Sequence, residues 1–171
     1  MTLITQHGAK DDAFTRIDSL EAARTAKGPV ILPLALAAAA GGDRPDGAFG
    51  LSVPATTPVE EIAPFFDAAE IIAVEFPSFS DGRGLSLARR LRRAGFTKTL
   101  RASGPLIADE FADVLACGFD EVELPETMAN RQPVQQWMAA KDAITDHYQT
   151  GYGERPSILQ QRLAARKGAT P

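Results

Sequence analysis

Three short strand-like runs, each separated from the next by one helix-period segment, leave this chain little choice of fold. Ile71 to Phe76, Thr97 to Ala102 and Glu121 to Leu124 read as strands. Residues 82–94 carry the spacing of an amphipathic helix ended by Gly95, and residues 105–117 that of a second helix ended by Gly118. Glycine suits both stops because it takes the left-handed cap position without a Cβ penalty. Strands separated by single helices lie side by side and parallel, joined by right-handed crossovers. The expected class is therefore α/β, a mainly parallel sheet of consecutive βα units, either open or curled toward a half barrel.

The flanking sequence fits the same plan less regularly. Val30 to Leu36 begins as a short buried strand and passes into an alanine-rich helical turn, which the breaker-rich stretch Gly41 to Gly47 stops. Phe49 to Val53 reads as another strand. Thr57-Pro58-Val59-Glu60 has the form of an N-cap, a proline at the first helical position and a capping-box acid. Pro64 then predicts a kink or two short helical pieces, with Ile62, Phe65, Phe66 and Ala69 facing inward. A last helix is expected from Pro133 to Tyr148, with Val134, Trp137, Ile144 and Tyr148 inward. The first 28 residues show no sustained period and suit an arm or a hairpin. Residues 1–150 are expected to form one domain and residues 151–171 a basic mobile tail, in which Ile158, Leu159 and Leu163 suit a short amphipathic helix.

Composition narrows the function classes. A net charge of −4 argues against broad nucleic-acid binding. One cysteine, Cys117, and two distant histidines, His7 and His147, leave no Cys/His metal motif and no intrachain disulfide. Cys117 also has no histidine near it in sequence to activate it as a nucleophile. The longest apolar run, Val30 to Ala40, contains Pro33 and is too short to span a bilayer. The upstream segment is polar and unlike a signal peptide, so a cytoplasmic protein is expected. Nothing in the residues requires a cofactor, although a flavin or nicotinamide can bind without a fingerprint.

Asp81-Gly82-Arg83-Gly84, between a strand and a basic helix, is the first candidate site. Backbone N–H groups, glycines that permit positive φ, and an arginine fit an anion site at a helix N-terminus. Leu87 stands where a third glycine of a dinucleotide fingerprint belongs, and no phosphate-loop lysine is present. The alternative is a turn capped by Asp81, with Arg83 solvated.

Glu75, Arg101 and Glu123 make the second candidate, a charge inside each of three consecutive strands. Buried parallel strands are usually apolar, so each charge needs a partner or an opening to water. In one reading Arg101 holds a substrate anion and Glu75 acts as base, at the strand ends where open sheets bind ligands. In the other, a Glu–Arg–Glu network fixes strand register. Asp109 and Glu110 fall in a first helical turn, where acids complement the helix dipole, and Asp109 is carried as a possible ligand contact. The run Arg89, Arg90, Arg92 and Arg93 is either a solvated helix face or a docking surface for an acidic partner.

Several segments carry a family resemblance. They are Leu3 to Phe14, Val30 to Leu34, Ile72-Ala-Val-Glu-Phe-Pro-Ser-Phe-Ser-Asp-Gly-Arg-Gly84, Ser86 to Arg89, Leu100-Arg-Ala102, Cys117-Gly-Phe-Asp120 and Tyr148-Gln149. Together they resemble the bacterial domain-of-unknown-function family 934, often labelled oxidoreductase-like, over roughly residues 1–149. The genes of that family commonly sit beside those for assimilatory sulfite reductase, which implies a role in sulfur assimilation. It has no established reaction, so the resemblance carries over no catalytic residue. Glu75 stands where the family often has Asp, Leu85 where an aromatic is usual, and Ala108-Asp109-Glu110 where Arg-Asp-Gln is common.

Three functions fit these features. The first is a noncatalytic accessory of sulfite reduction, docking on the reductase or its electron donor. The second is an enzyme acting on a small anion around Glu75, Arg83 and Arg101. The third is a structural domain that pairs with a second copy as a homo-oligomer. A docking protein requires a basic patch outside any pocket, whereas the enzyme requires Arg83 and Arg101 to converge in a concave site.

Overall fold

In the computed structural model, residues 1–41, 47–143 and 158–168 are described. The strands are β1 (Thr2–Thr5), β2 (Gly8–Lys10), β3 (Thr15–Arg16), β4 (Val30–Pro33), β5 (Phe49–Pro54), β6 (Ala69–Glu75), β7 (Thr99–Ser103) and β8 (Glu121–Leu124). The helices are α1 (Leu20–Thr25), α2 (Leu34–Ala40), α3 (Val59–Ile62), α4 (Arg83–Arg93), α5 (Phe111–Ala116), α6 (Glu126–Ala129), α7 (Val134–Ala143) and α8 (Ile158–Gly168). Single 3-10 turns at Ala63–Phe65 and Ala108–Glu110 lead out of α3 and into α5. The strands form one sheet in the order β2-β1-β8-β7-β6-β5-β4-β3. From β3 to β8 every neighbouring pair is parallel, while β1 runs antiparallel to both β8 and β2.

The expected class is correct, and the open alternative gives way to a half barrel. Laid flat, eight strands at ~4.8 Å spacing would separate β2 from β3 by roughly 34 Å. Yet only residues 11–14 join those opposite edges, and such a link reaches about 18 Å at full extension. The sheet must therefore curl until its edges approach. The N-terminal residues accordingly supply a strand pair to one edge of the sheet and a strand to the other.

Side-chain alternation then divides the protein into two interiors. Ile72, Val74, Leu100, Ala102, Val122 and Leu124 face outward into one core with Leu87, Ala88 and Leu91 of α4, Phe111 and Val114 of α5, and Trp137 of α7. Trp137 meets Phe111 edge-on at 5.3 Å between ring centroids. On the concave face Leu3, Ile31, Ile71 and Ala73 are buried beside polar residues. This is why β6 reads as a nearly unbroken apolar run: it is covered on both sides.

The breaks between elements follow local chemistry. Gly95 and Gly118 take φ of 101° and 102°, as their place after α4 and α5 predicts. Pro64 divides its helix into α3 and a 3-10 turn, the two pieces expected. Thr57 does not cap α3. Its N–H donates to the carbonyl of Pro54 at 3.0 Å in a tight turn, and the helix begins one residue later than expected, after Pro58. Arg92 ties two loops together: Nε donates to the Gly118 carbonyl at 2.8 Å, and Nη1 to those of Phe96 at 2.9 Å and Lys98 at 2.7 Å. Its Nη2 binds Asp120, whose carboxylate also accepts from the Leu100 N–H at 2.7 Å. In the C-terminal segment α8 is helical, with Leu159 and Leu163 exposed. Ile144, Tyr148 and residues 151–157 of the expected last helix and tail lie outside the described residues. No described helix is long and apolar enough to cross a membrane.

Two glycines hold the Phe76 corner. A Cβ on Gly84 would sit 2.3 Å from the buried Phe76 ring, and one on Gly104 would sit 2.2 Å from the Phe76 carbonyl oxygen, at a φ of +142°. Gly84→Ala is expected to cost about 1–3 kcal/mol by overpacking. Gly104→Ala should cost more, because strained backbone adds to a clash that a rigid carbonyl cannot relieve. Urea unfolding of the two variants checks the order; equal midpoints with the unmodified protein would remove this account of the corner.

Candidate functional site

The concave face of the half barrel carries a connected set of charges. Parallel pairing sets Ala73, Arg101 and Glu121 side by side, and Glu75, Ser103 and Glu123 in the next inward-facing row. Strand parity thus gives all of these residues the same face, as the alternation predicts. The register decides which of them meet.

Arg101 sits at the centre, with its side chain only 1% exposed. Nε donates to Glu121 at 2.8 Å, Nη1 to Glu123 at 3.4 Å, and the two terminal nitrogens clamp Asp12 at 2.6 and 2.8 Å. Asp12 belongs to the segment that crosses between the sheet edges, and its Oδ1 also accepts the Phe14 N–H at 3.0 Å. The expected Glu–Arg–Glu set is thus different in membership. Glu75 lies one row away and does not touch Arg101, while Glu121 and Asp12 take its place.

Arg16, on the far edge strand β3, completes the network. It grips Glu123 through Nε at 3.0 Å and Nη2 at 2.5 Å, and also donates to Ser103 at 2.8 Å and Ser52 at 3.2 Å. An arginine on β3 reaching a glutamate on β8 is possible only because the sheet curls. Ser52 accepts from Arg16, so its own hydroxyl proton is free to donate to Glu75, and it does so. Lys10 closes the other end of the chain of contacts on Glu121 at 3.0 Å.

The electrostatics follow from this pairing. Burial works to raise the Asp12 and Glu123 carboxyls, but arginine contacts outweigh it and leave both below their ordinary values of 3.8 and 4.5. Arg101 for Asp12, and Arg16 with Arg101 for Glu123, supply that effect. Burial likewise acts to lower Arg101, yet Asp12 and Glu121 hold it above its ordinary value. A guanidinium saturated by three carboxylates and sealed from water is not available to a substrate anion.

The Asp81-Gly82-Arg83-Gly84 segment has a different geometry from an anion cradle. Arg83 is turned onto Asp81, with Nε at 2.8 Å and Nη2 at 2.5 Å, and the same carboxylate accepts the Arg83 N–H at 3.1 Å. The guanidinium holds the Asp81 carboxyl down at about 2. Gly82 has a φ of −71°, and Gly84 is inside α4, so neither uses a left-handed conformation. Gly84 is small because the Phe76 ring lies against it. Arg83 and Arg101 share no partner and do not converge.

The remaining candidates separate in the same way. Asp109 is exposed on the 3-10 turn, while its neighbour Glu110 has a buried Oε2 without a hydrogen-bond partner and is raised by burial. Cys117 is buried, and burial raises its thiol above the ordinary value, opposite to what a nucleophile requires. Arg92 is spent on loop carbonyls and Asp120, while Arg89, Arg90 and Arg93 are exposed on α4. Among the described residues no group of His, Cys, Asp and Glu is placed to hold a metal ion.

Sequence reasoning missed Asp12, Arg16, Ser52, Ser103 and Glu121. Glu121 and Ser103 had a usable signal, since each stands two residues from a chosen charge on its own strand and so shares its face. Asp12 had only its place in the resembling segment Leu3 to Phe14, and Arg16 had no signal.

At neutral pH, Arg101→Met would strand Asp12 and leave Glu121 and Glu123 with one cation each, Lys10 and Arg16, at an expected cost of up to about 3–5 kcal/mol. The paired carboxyls lie below their unfolded values, so the stability they contribute is present above roughly pH 4.5 and is lost as pH falls through their folded values. In the variant, protonation relieves these acids over the same range. The stability gap should therefore narrow between pH 7 and pH 4, which denaturant titrations at several pH values measure. A gap independent of pH would mean the loss is one of packing alone.

A family match agrees with the resemblance over residues 50–149 and does not extend to residues 1–49. No curated protein matches the chain. The pattern of a bacterial protein family of unknown function, DUF934, matches residues 50–159, about two thirds of the sequence. That stretch contains Glu75, the Phe76 corner, α4, Arg101, Glu121 and Glu123, and it leaves Asp12 and Arg16 outside. With so much of the chain covered, this protein belongs to the DUF934 family.

Proposed function

We propose that this protein is a noncatalytic accessory of assimilatory sulfite reduction in the cytoplasm, docking through α4 on the reductase or its electron donor. The observation that carries the reading is a division of the cations. Arg16 and Arg101 are committed to the barrel interior, and Arg83 to Asp81. Arg90 and Arg93 are exposed, and their guanidinium groups have no partner among the described residues. Arg89 is exposed beside them, with Cys117 near its side chain. A basic face outside any pocket suits an acidic protein surface, where exposed charges steer encounter and set orientation. The resemblance supplies the identity of the partner through its association with sulfite reductase genes.

The enzyme alternative finds less support in the geometry. It needs Arg83 and Arg101 free and close together, and each is already held by carboxylates.

A deletion strain is expected to grow on sulfide but not on sulfate or sulfite as sole sulfur source. The wild-type chain should retain sulfite reductase or its electron donor on an affinity column at low salt. Reversing both charges, Arg90→Glu with Arg93→Glu, should weaken that retention about tenfold or more, with unchanged thermal stability. Growth on all three sources would end the sulfur reading. Retention that ignores the double reversal would remove α4 as the docking face, and a concentration-dependent mass without any partner would favour the homo-oligomer instead.

A further inference from the structure

A groove of about 700 Å³ opens at the C-terminal ends of β4, β5 and β6, away from the basic end of α4. This volume falls within the range of roughly 300–1,000 Å³ typical of small-molecule sites. Its walls are largely apolar, from Leu34, Ala35 and Ala38 of α2 to Pro64 and Phe65 on the other side. Ser52 and Thr57 contribute hydroxyls, and both are buried. The charged lining residues are Glu61 and Glu75; no lysine, arginine or histidine lines it among the described residues.

The charges of the barrel explain why Glu75 is the member open to a ligand. Asp12, Glu121 and Glu123 are each paired with Lys10, Arg16 or Arg101. Glu75 is the carboxylate left over. Its Oε1 accepts from Ser52, whose other side is occupied by Arg16, and its Oε2 has no partner among the described residues. Ser52 therefore fixes the carboxylate without neutralising it. A largely apolar groove whose charged lining residues are carboxylates, Glu75 held in place and Glu61 beside it, repels anions and favours an ion of opposite sign that also has apolar surface to bury.

We propose that this groove binds a small organic cation, an ammonium group on an apolar body, with Glu75 as its counter-ion. The ammonium donates to Oε2 of Glu75, and Phe65 and the α2 alanines cover the apolar part. Glu61, an exposed lining residue, adds negative potential. Thr57 offers a further oxygen, which gives its escape from the capping role a use. This site does not depend on α4 or on a protein partner, so the accessory reading can fail without affecting it, and the reverse.

The test is titration of the full chain with phenethylamine and, separately, with hydrocinnamate, which has a similar size and the opposite charge. Calorimetry gives the affinity, and amide NMR shifts at Ala35, Ser52 and Glu75 give the location. Saturable binding of the amine at those residues is expected, with the acid at least about tenfold weaker. Glu75→Gln should reduce amine affinity about five- to tenfold, while Glu60→Gln, an exposed acid outside the groove lining, should leave it unchanged. Ala38→Trp, at an exposed position on α2, should block binding by filling the groove while keeping the fold. Equal affinity for the acid, indifference to Glu75→Gln or Ala38→Trp, or no saturable binding of the amine would each overturn the proposal.

Discussion

One guanidinium sits at the centre of the contacts that hold the curled sheet of this protein together. Arg101 joins the crossing segment, through Asp12, to the last strand, through Glu121 and Glu123, and so holds together parts of the chain that the sheet alone would leave apart. A lysine could not replace it. An ammonium is a point charge, whereas the planar fork of arginine can clamp Asp12 with two nitrogens and still present Nε to Glu121. Burying an ion costs several kcal/mol, so the arrangement is favourable only when every member is present. That makes it a device for selecting one curvature and one register, more than a store of stability.

The most specific part of the sequence serves construction too. Phe76 packs under Gly84 and against Gly104, its ring stands 5.8 Å from that of Phe119, and Asp81 is occupied with Arg83. Asp120, in another of the segments that carry the family resemblance, receives Arg92 and the Leu100 N–H. These contacts build the corner where a strand passes into a helix and the loops at the opposite end. A Gly-rich turn at a helix start invites an anion-site interpretation, but here the small residue answers to an aromatic ring.

Periodicity made β6 to β8 and their helices legible, because strands buried on two faces and helices ended by glycine have strong local signatures. Parity put Glu75, Arg101 and Glu123 on one face correctly. It could not say which of them meet, since register depends on the whole sheet. The three-residue β2 and two-residue β3 are too short to show a period. Their key contacts join residues 111 and 107 positions apart in sequence, and no local pattern reports such a distance. The capping signature at Thr57 misled by a single residue because a turn closing on Pro54 competes for the same backbone.

The direction of α4 separates the two proposed surfaces. Helices in βα units run back against their strands, so α4 starts near the C-terminal ends, where Glu75 lies, and ends near the loops that Arg92 secures. Its eleven residues span roughly 16 Å. Arg90 and Arg93 fall in the last turn, where cations complement the helix dipole whatever else they do. That stabilising role leaves their hydrogen-bonding capacity unspent. The acidic groove and the basic helix end consequently act on opposite charges at opposite ends of the barrel. A ligand in one has no contact with the other, so coupling between them would require movement of β6 or α4, elements pinned at Phe76 and Arg92. Independent occupation is the behaviour this geometry favours.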